Sequence, residues 1–367
     1  MHISRPILGH THKRRVIKRY LAAAACLLIL QGCSDTSGLE ASWQDYLSRL
    51  SRVLDRDISR DPSGEVLHFP RTRDIAMTFA PSNIDILDFL RMRRCALRET
   101  IAQRNSILGR HGDESAKLLF DLRFLNEARE CIQLLKDDGN DSLASQLSDA
   151  ARLKQQELPK RIFAAGIAGD EFREFWKMPP DLRDYPSSGE DPSIAALARW
   201  QRWQHQWLAG NWEHDANDVL TTLGHIRMGG GGSLLKAEEL NTRELRAAAK
   251  LIDQRISGRA LCLKPSPTSS AQQFRNVLGS RFIGVIQQQA SLINQHKYGL
   301  LNNIDTIENE LFSAMAAQDA EVPQAYLNWL SQRTALLANA TKAHQRHVKL
   351  AGELLSQCGL SPGGNSP

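Results

Sequence analysis

The chain has 367 residues, 42% hydrophobic and 24% charged, a mixture that excludes a disordered chain and a polytopic membrane protein. Its formal charge of +5 is concentrated at one end: residues 1–32 carry Arg5, Lys13, Arg14, Arg15, Lys18 and Arg19 and no acid, which leaves 40 bases against 41 acids in the rest. A body so nearly neutral gives no electrostatic ground for nucleic-acid binding.

In chain order, the first feature is the apolar run Leu21 to Leu30, ten residues after the basic stretch. A spanning helix needs about twice that length, so the run reads as the h-region of a signal peptide covering 1–32. Leu30-Gln31-Gly32-Cys33 resembles the lipobox of bacterial lipoproteins. That resemblance implies cleavage before Cys33 and acylation of its thiol, palmitate included. Several chains on one residue anchor firmly, whereas one holds reversibly. Ser34 follows in place of the Asp of an inner-membrane retention signal, so the expected address is the outer membrane, facing the periplasm. Residues 33–41 are then a lipidated tether.

An N-terminal helical region is expected over 42–178. Trp43, Tyr46, Leu47, Leu50, Val53 and Leu54 recur at helical spacing from Ser42, and the interval 58–82, broken by prolines and Gly64, is the least helical part. One helix is expected from Asn83 to Ser106, with Ile84, Leu87, Leu90, Leu97 and Ile101 inward, and another from Glu114 to Lys136, with Gly109 and Gly112 between them. Antiparallel packing about that turn brings together residues equidistant from Asp113, so Cys95 should pair with Cys131. Helices over Ser142–Ala165 and Asp170–Lys177 complete the region.

The middle region, 179–263, is expected to be Trp-rich and helical. Pro179 to Pro192 is a Pro/Gly/Ser interval, and a helix over Ser193–Ala209 puts Trp200, Trp203 and Trp207 on one face with Leu197 and Leu208, with Trp212 beyond its end. That spacing is a core stripe, and its competitor is a stacking platform for sugar rings or a peptide. Gly229 to Gly232 reads as a flexible joint, followed by a helix over Ser233–Ile256.

The C-terminal region, 264–358, is expected to be a long antiparallel helical hairpin followed by a disordered tail, 359–367. After the linker Lys264–Ser269, residues 272–316 carry Phe274, Leu278, Phe282, Val285, Leu292, Leu300, Ile304, Ile307 and Leu311, with bends at Gly279, Gly284 and Gly299. Pro323 opens the return helix, with Tyr326, Leu330, Leu337, Val348 and Leu355 inward. Cys262 and Cys358 flank the hairpin and form the remaining pair. No stretch carries the run of short β-branched segments that a sheet requires, so the fold class is all-α.

The chemistry candidates each have a structural counterpart. A turn near residue 320 sets His344 opposite His296, with His347 one turn on, a ligand set that zinc or copper accepts; solvated or locally hydrogen-bonded histidines are the default, and no cofactor is expected. Ser233-Leu234-Leu235-Lys236 matches the S-x-x-K of penicillin-interacting enzymes without their other motifs. Glu114-Ser115 opens a helix as the Glu-Ser of lysozyme-like transglycosylases does, although an acid in a first turn also serves as a cap.

Pro70-Arg71-Thr72-Arg73, Cys95-Ala96-Leu97, the run Ile101 to Gly109 (IAQRNSILG) and Cys131-Ile132 together resemble a family of gammaproteobacterial lipoproteins, domain-of-unknown-function family 3080. The resemblance implies an envelope lipoprotein and carries over no catalytic residue. Arg71, Arg73 and Arg104 are candidates to surround an anionic group such as a carboxylate or phosphate, whereas Asn105 and Ser106 beside Gly109 read equally as a helix terminus. The expectation is a lipid-anchored binding or scaffolding protein with an envelope protein or peptidoglycan as partner; the alternative is a peptidoglycan-directed hydrolase or carbohydrate binder.

Overall fold

The computed structural model describes residues 38–62, 66–80, 92–187, 189–263 and 265–361. The leader, Cys33, the first part of the tether, the expected inward residues Ile84, Leu87 and Leu90, and the tail from 362 lie outside these residues. Among the described residues every regular element is helical, and the chain is all-α.

Helix α1 (Leu39–Leu54) starts three residues before the expected Ser42 and buries Leu39, Trp43, Tyr46, Leu47, Leu50 and Leu54, a stripe at three-and-four spacing. A largely irregular strap follows, with one 3₁₀ turn at Thr72–Asp74. It is pinned where Phe69 meets Trp329 edge-on at 4.8 Å.

Helices α2 (Leu97–Asn105), α3 (Ile107–His111), α4 (Glu114–Asp137) and α5 (Asp141–Ala165) follow. Helix α2 ends at Ser106 as expected, where the backbone is extended and the hydroxyl caps Gly109 N–H, but it starts only at Leu97, since residues 92–96 are not helical. Asp113 caps α4 in the same way, at Ala116 N–H. Leu97, Ile101, Phe124, Ala128, Leu135 and Leu143 form a separate small core around Cys95–Cys131, the first disulfide, as the turn-centred reading expects.

Helix α6 is Asp170–Phe175, α7 Pro192–Leu208, α8 Ala216–Arg227 and α9 Gly231–Ser257. Helix α8 lies in an interval to which hydrophobic spacing assigned nothing. The Trp stripe is core: Trp200 and Trp207 are fully buried, their rings edge-on at 5.7 Å, while Trp203 is partly covered and stacks on Trp207. A stacking platform on Trp200, Trp203 and Trp207 is thereby excluded, because two of the three faces are already used.

The glycine tetrad is a packing seam instead of a joint. Gly231 and Gly232 belong to α9 and are buried. A Cβ at Gly232 would stand 1.9 Å from the carbonyl oxygen of Lys177, and one at Gly230 would stand 2.7 Å from the ring of His296. The missing side chains let two segments touch α9 at its start. Gly232→Ala should therefore lower stability by about 1–3 kcal/mol through overpacking, whereas Gly224→Ala in α8, with open space around its Cβ, should raise it by about 0.5–1 kcal/mol. Urea unfolding midpoints of the two variants should move in opposite directions.

From Ser269 the chain is helical to Ala316: α10 (Ser269–Val277), a π-helical stretch (Leu278–Ile286) and α11 (Gln287–Ala316). Helix α12 (Gln324–Ser356) returns. The expected inter-helix register holds near the turn, where Glu308 meets Arg333 at 2.8 Å. Farther out the arms take different neighbours, α12 lying along α9 and α11 along α7. Leu292 and Val348, expected to face inward, are accordingly 37% and 43% exposed. Cys262 bonds to Cys358, closing the C-terminal region at its base.

Candidate functional site

The loop before α7 and the end of the glycine seam meet α11 at a polar cluster. Asp191 is the N-cap of α7: one carboxylate oxygen accepts the N–H of Ser193 at 2.8 Å, and the other accepts the N–H of Gly230 at 3.0 Å. That second oxygen also meets His296 Nε2 at 2.7 Å, an approach made possible by the bare Cα of Gly230. The other ring nitrogen, Nδ1, is 2.8 Å from the Tyr185 hydroxyl. Burial by itself would raise the Asp191 pKa, but the bonds from His296, Ser193 and Gly230 outweigh it and hold the group at about 2, so it is ionised. Burial, with the nearby Glu238 and Asp191, pushes the Tyr185 phenol upward, so it keeps its proton.

These states fix the proton on Nε2. A carboxylate only accepts, so Nε2 carries a proton and donates it to Asp191, while Nδ1 faces the Tyr185 hydroxyl. The chain Tyr185–His296–Asp191 has the order of a hydroxyl–imidazole–carboxylate triad, with both ring nitrogens occupied. As in such a triad, a proton would reach His296 by way of the Tyr185 hydroxyl. The open valence is on the Tyr185 oxygen, which can accept one further hydrogen bond.

The cluster forms one wall of a cleft of about 650 Å³. Pro186, Pro192, Ile194 and Ala198 supply apolar walls, Glu190 a carboxylate, and Met228 (71% exposed) and Leu292 stand at its rim. An apolar concavity with a few convergent polar groups is the ordinary form of a ligand site.

His296 therefore serves a different cluster from His344 and His347. One residue along a helix is 100° around it, and on α11 it is Asn294 and Lys297 that share a small cavity with His344, while His296 faces the Tyr185 loop. His347 is fully buried, bonded to Tyr46 Oη at 2.9 Å and packed edge-on against Phe282 at 4.4 Å. Among the described residues no group of three or more His, Cys, Asp or Glu side chains could hold a metal, so the three-imidazole site is corrected.

His347 instead gives the fold a pH response. Burial, with His344 as a minor contributor, lowers its pKa to about 3, against an ordinary value of 6.5. Between those values the unfolded chain binds the proton that the folded chain refuses. Stability should be fully present above about pH 6.5 and fall as the pH drops toward 3, by at most about 1.4 kcal/mol per pH unit from this group. Unfolding free energies measured across that window should show a shallower slope in His347→Gln.

The three arginines do not gather around an anion. Arg71 pairs with Asp74 at 2.7 Å, Arg73 approaches the same carboxylate at 3.6 Å, and Arg104 donates to the carbonyl of Gly109 at 2.8 Å. Arg104 thus closes the α2–α3 corner, as the helix-terminus reading expects. Lys236 pairs with Glu239 at 3.5 Å, and neither it nor Ser233 lines the cleft. Glu114 binds Lys117 and Arg161, and Ser115 donates to Asp113. Tyr185 and Asp191 were missed in the sequence; the available signal was Asp191-Pro192-Ser193, an N-cap followed by proline at the first helical position.

Fold and site define an all-α, doubly cross-linked protein with an open, mainly apolar cleft. Residues 43–362 match the model of the family described as Protein of unknown function (DUF3080), and the chain belongs to that family. No curated protein and no solved structure matches it.

Proposed function

We propose that the chain is a lipid-anchored protein of the outer membrane, facing the periplasm, that binds or scaffolds another envelope component through the cleft beside α7 and α11. The observation that carries the binding half is the cleft itself, about 650 Å³ of mainly apolar wall on which the Tyr185 hydroxyl and the Glu190 carboxylate converge. Two disulfides in a chain whose leader ends Leu30-Gln31-Gly32-Cys33 support an oxidising compartment reached by export. Among the described residues no helix is long and apolar enough to cross a membrane, which accords with attachment through Cys33. The residues that suggested a hydrolase, Ser233, Lys236, Glu114 and Ser115, are engaged in helix structure or lie away from the cleft.

A photoreactive amino acid placed at Met228 in intact cells tests the reading. A discrete cross-linked product is expected, with its yield falling in His296→Ala as the cleft wall loosens and falling again in Cys33→Ser as the protein leaves its membrane. Cross-linking indifferent to both substitutions would contradict it.

A further inference from the structure

A second concavity follows the seam between α9 and α12, away from the Tyr185 cluster. Residues 239, 242, 243, 246, 250 and 253 recur at spacings of three and four on α9, and 332, 335, 336, 339, 342 and 346 do so on α12, so each set shares one face. Between them lie two cavities of about 500 and 540 Å³ that have Asp61, Arg246 and Asn339 as common walls and form one trough. From Gln332 to Arg346 it extends about 21 Å at the helical rise of ~1.5 Å per residue.

The two ends differ in chemistry. One carries an apolar strip of Val66, Leu67, Ala335 and Leu336 beside the polar His68 and Gln332, with Val66 42% exposed. The other presents Arg246, Lys250, Lys342 and Arg346. Several charges in the trough are already matched: Arg346 faces Asp253 at 3.7 Å, Arg243 holds Glu244 at 2.8 Å, and Glu239 faces Lys236 at 3.5 Å. Among the described residues Lys250 has only the hydroxyl of Ser59. Arg246 and Lys342 have no hydrogen-bond or ion-pair partner among the described residues. Among the described residues of the trough the remaining carboxylate is Asp61, so Arg246, Lys250 and Lys342 leave a surplus of two positive charges there. The chain beyond residue 32 has no such surplus as a whole, with 40 bases against 41 acids.

We infer that this trough binds an amphiphile whose head is a phosphate monoester, the head on Arg246 and Lys342 and the acyl chain along Val66 and Leu336. A phosphate monoester carries about −1.5 to −2 near neutral pH, which matches the surplus. Guanidinium and ammonium groups form strong charge-assisted bonds to its oxygens. A free anion would leave the apolar half empty, and an uncharged chain would leave both cations unmatched. The inference does not rest on the cleft or on the anchor at Cys33.

The test uses the full chain in non-ionic maltoside micelles with fluorescent lysophosphatidic acid as probe. Unlabelled lysophosphatidic acid should displace the probe, whereas a monoacylglycerol of equal chain length and inorganic phosphate should each compete at least about tenfold more weakly. Arg246→Gln and Lys342→Gln should each weaken binding by about tenfold, the loss of one charge-assisted contact, and Val66→Glu should weaken it at the other end. All three positions are exposed, so the unfolding midpoint should stay unchanged. Competition by monoacylglycerol equal to that of the lysolipid would reduce the effect to partition into an apolar trough and overturn the anionic head. Equal competition by inorganic phosphate would overturn the chain, and affinities unmoved by both cation substitutions would overturn the site.

Discussion

Arg333→Ala should lower the unfolding free energy by about 3–5 kcal/mol, the range for removing one partner of a buried ion pair. Arg333 is 3% exposed and meets both oxygens of Glu308 at 2.8 Å, and Glu308 is itself buried. The Tyr326 hydroxyl donates to the same carboxylate at 2.5 Å, and the guanidinium lies over Trp176 and Trp329 at 5.0 and 5.3 Å. Truncation therefore leaves a buried carboxylate without its cation and removes packing from two indoles. Replacing the whole cluster is a different experiment: Glu308→Leu with Arg333→Met and Tyr326→Phe leaves no polar orphan and should recover most of the loss. Urea denaturation of the single and triple variants separates the two effects. A single variant as stable as wild type would mean that the turn between α11 and α12 is not held by this pair.

Opening the Cys262–Cys358 bond should cost about 5 kcal/mol, and opening Cys95–Cys131 about 4 kcal/mol, by loop-entropy arithmetic for separations of 96 and 36 residues. The larger loop contains α10, the π-helical stretch, α11 and α12, so its closure limits the unfolded freedom of the whole C-terminal region. The smaller one staples a core of its own around α2, α4 and α5. Double alanine variants of each pair should rank in that order by denaturation midpoint, and a reductant should lower the wild-type midpoint while leaving the four-cysteine-less form unmoved. A wild-type midpoint indifferent to reductant would contradict the cross-links.

What was legible in the sequence is what depends on local periodicity. Trp43, Tyr46, Leu47 and Leu50 specify their helix because residues three and four apart share a face, and the same rule puts Trp200 and Trp207 in the core. The first disulfide was readable because a short turn between neighbouring helices fixes which residues are opposite. The same arithmetic is sound near the second turn, where Glu308 meets Arg333, but fails farther out, where it sets His344 opposite His296. There α9 takes α12 as its partner, and sequence spacing carries no term for such a third helix. His296 was singled out for neighbours it does not have: register along a hairpin says which level a residue occupies, not which way it points. Gly229 to Gly232 was misread because a missing side chain permits both mobility and close approach, and only the tertiary neighbours Lys177 and His296 decide between them. Tyr185 and Asp191 come from a loop, where no periodicity marks a site-forming residue.

The mass of the amino-terminal peptide of the protein isolated from a bacterial membrane fraction tests the envelope assignment most directly. The account predicts a first residue at Cys33 carrying the added mass of its acyl chains, with residues 1–32 gone. A mature chain that retains the leader, or one in which Cys33 bears a free thiol, would contradict it.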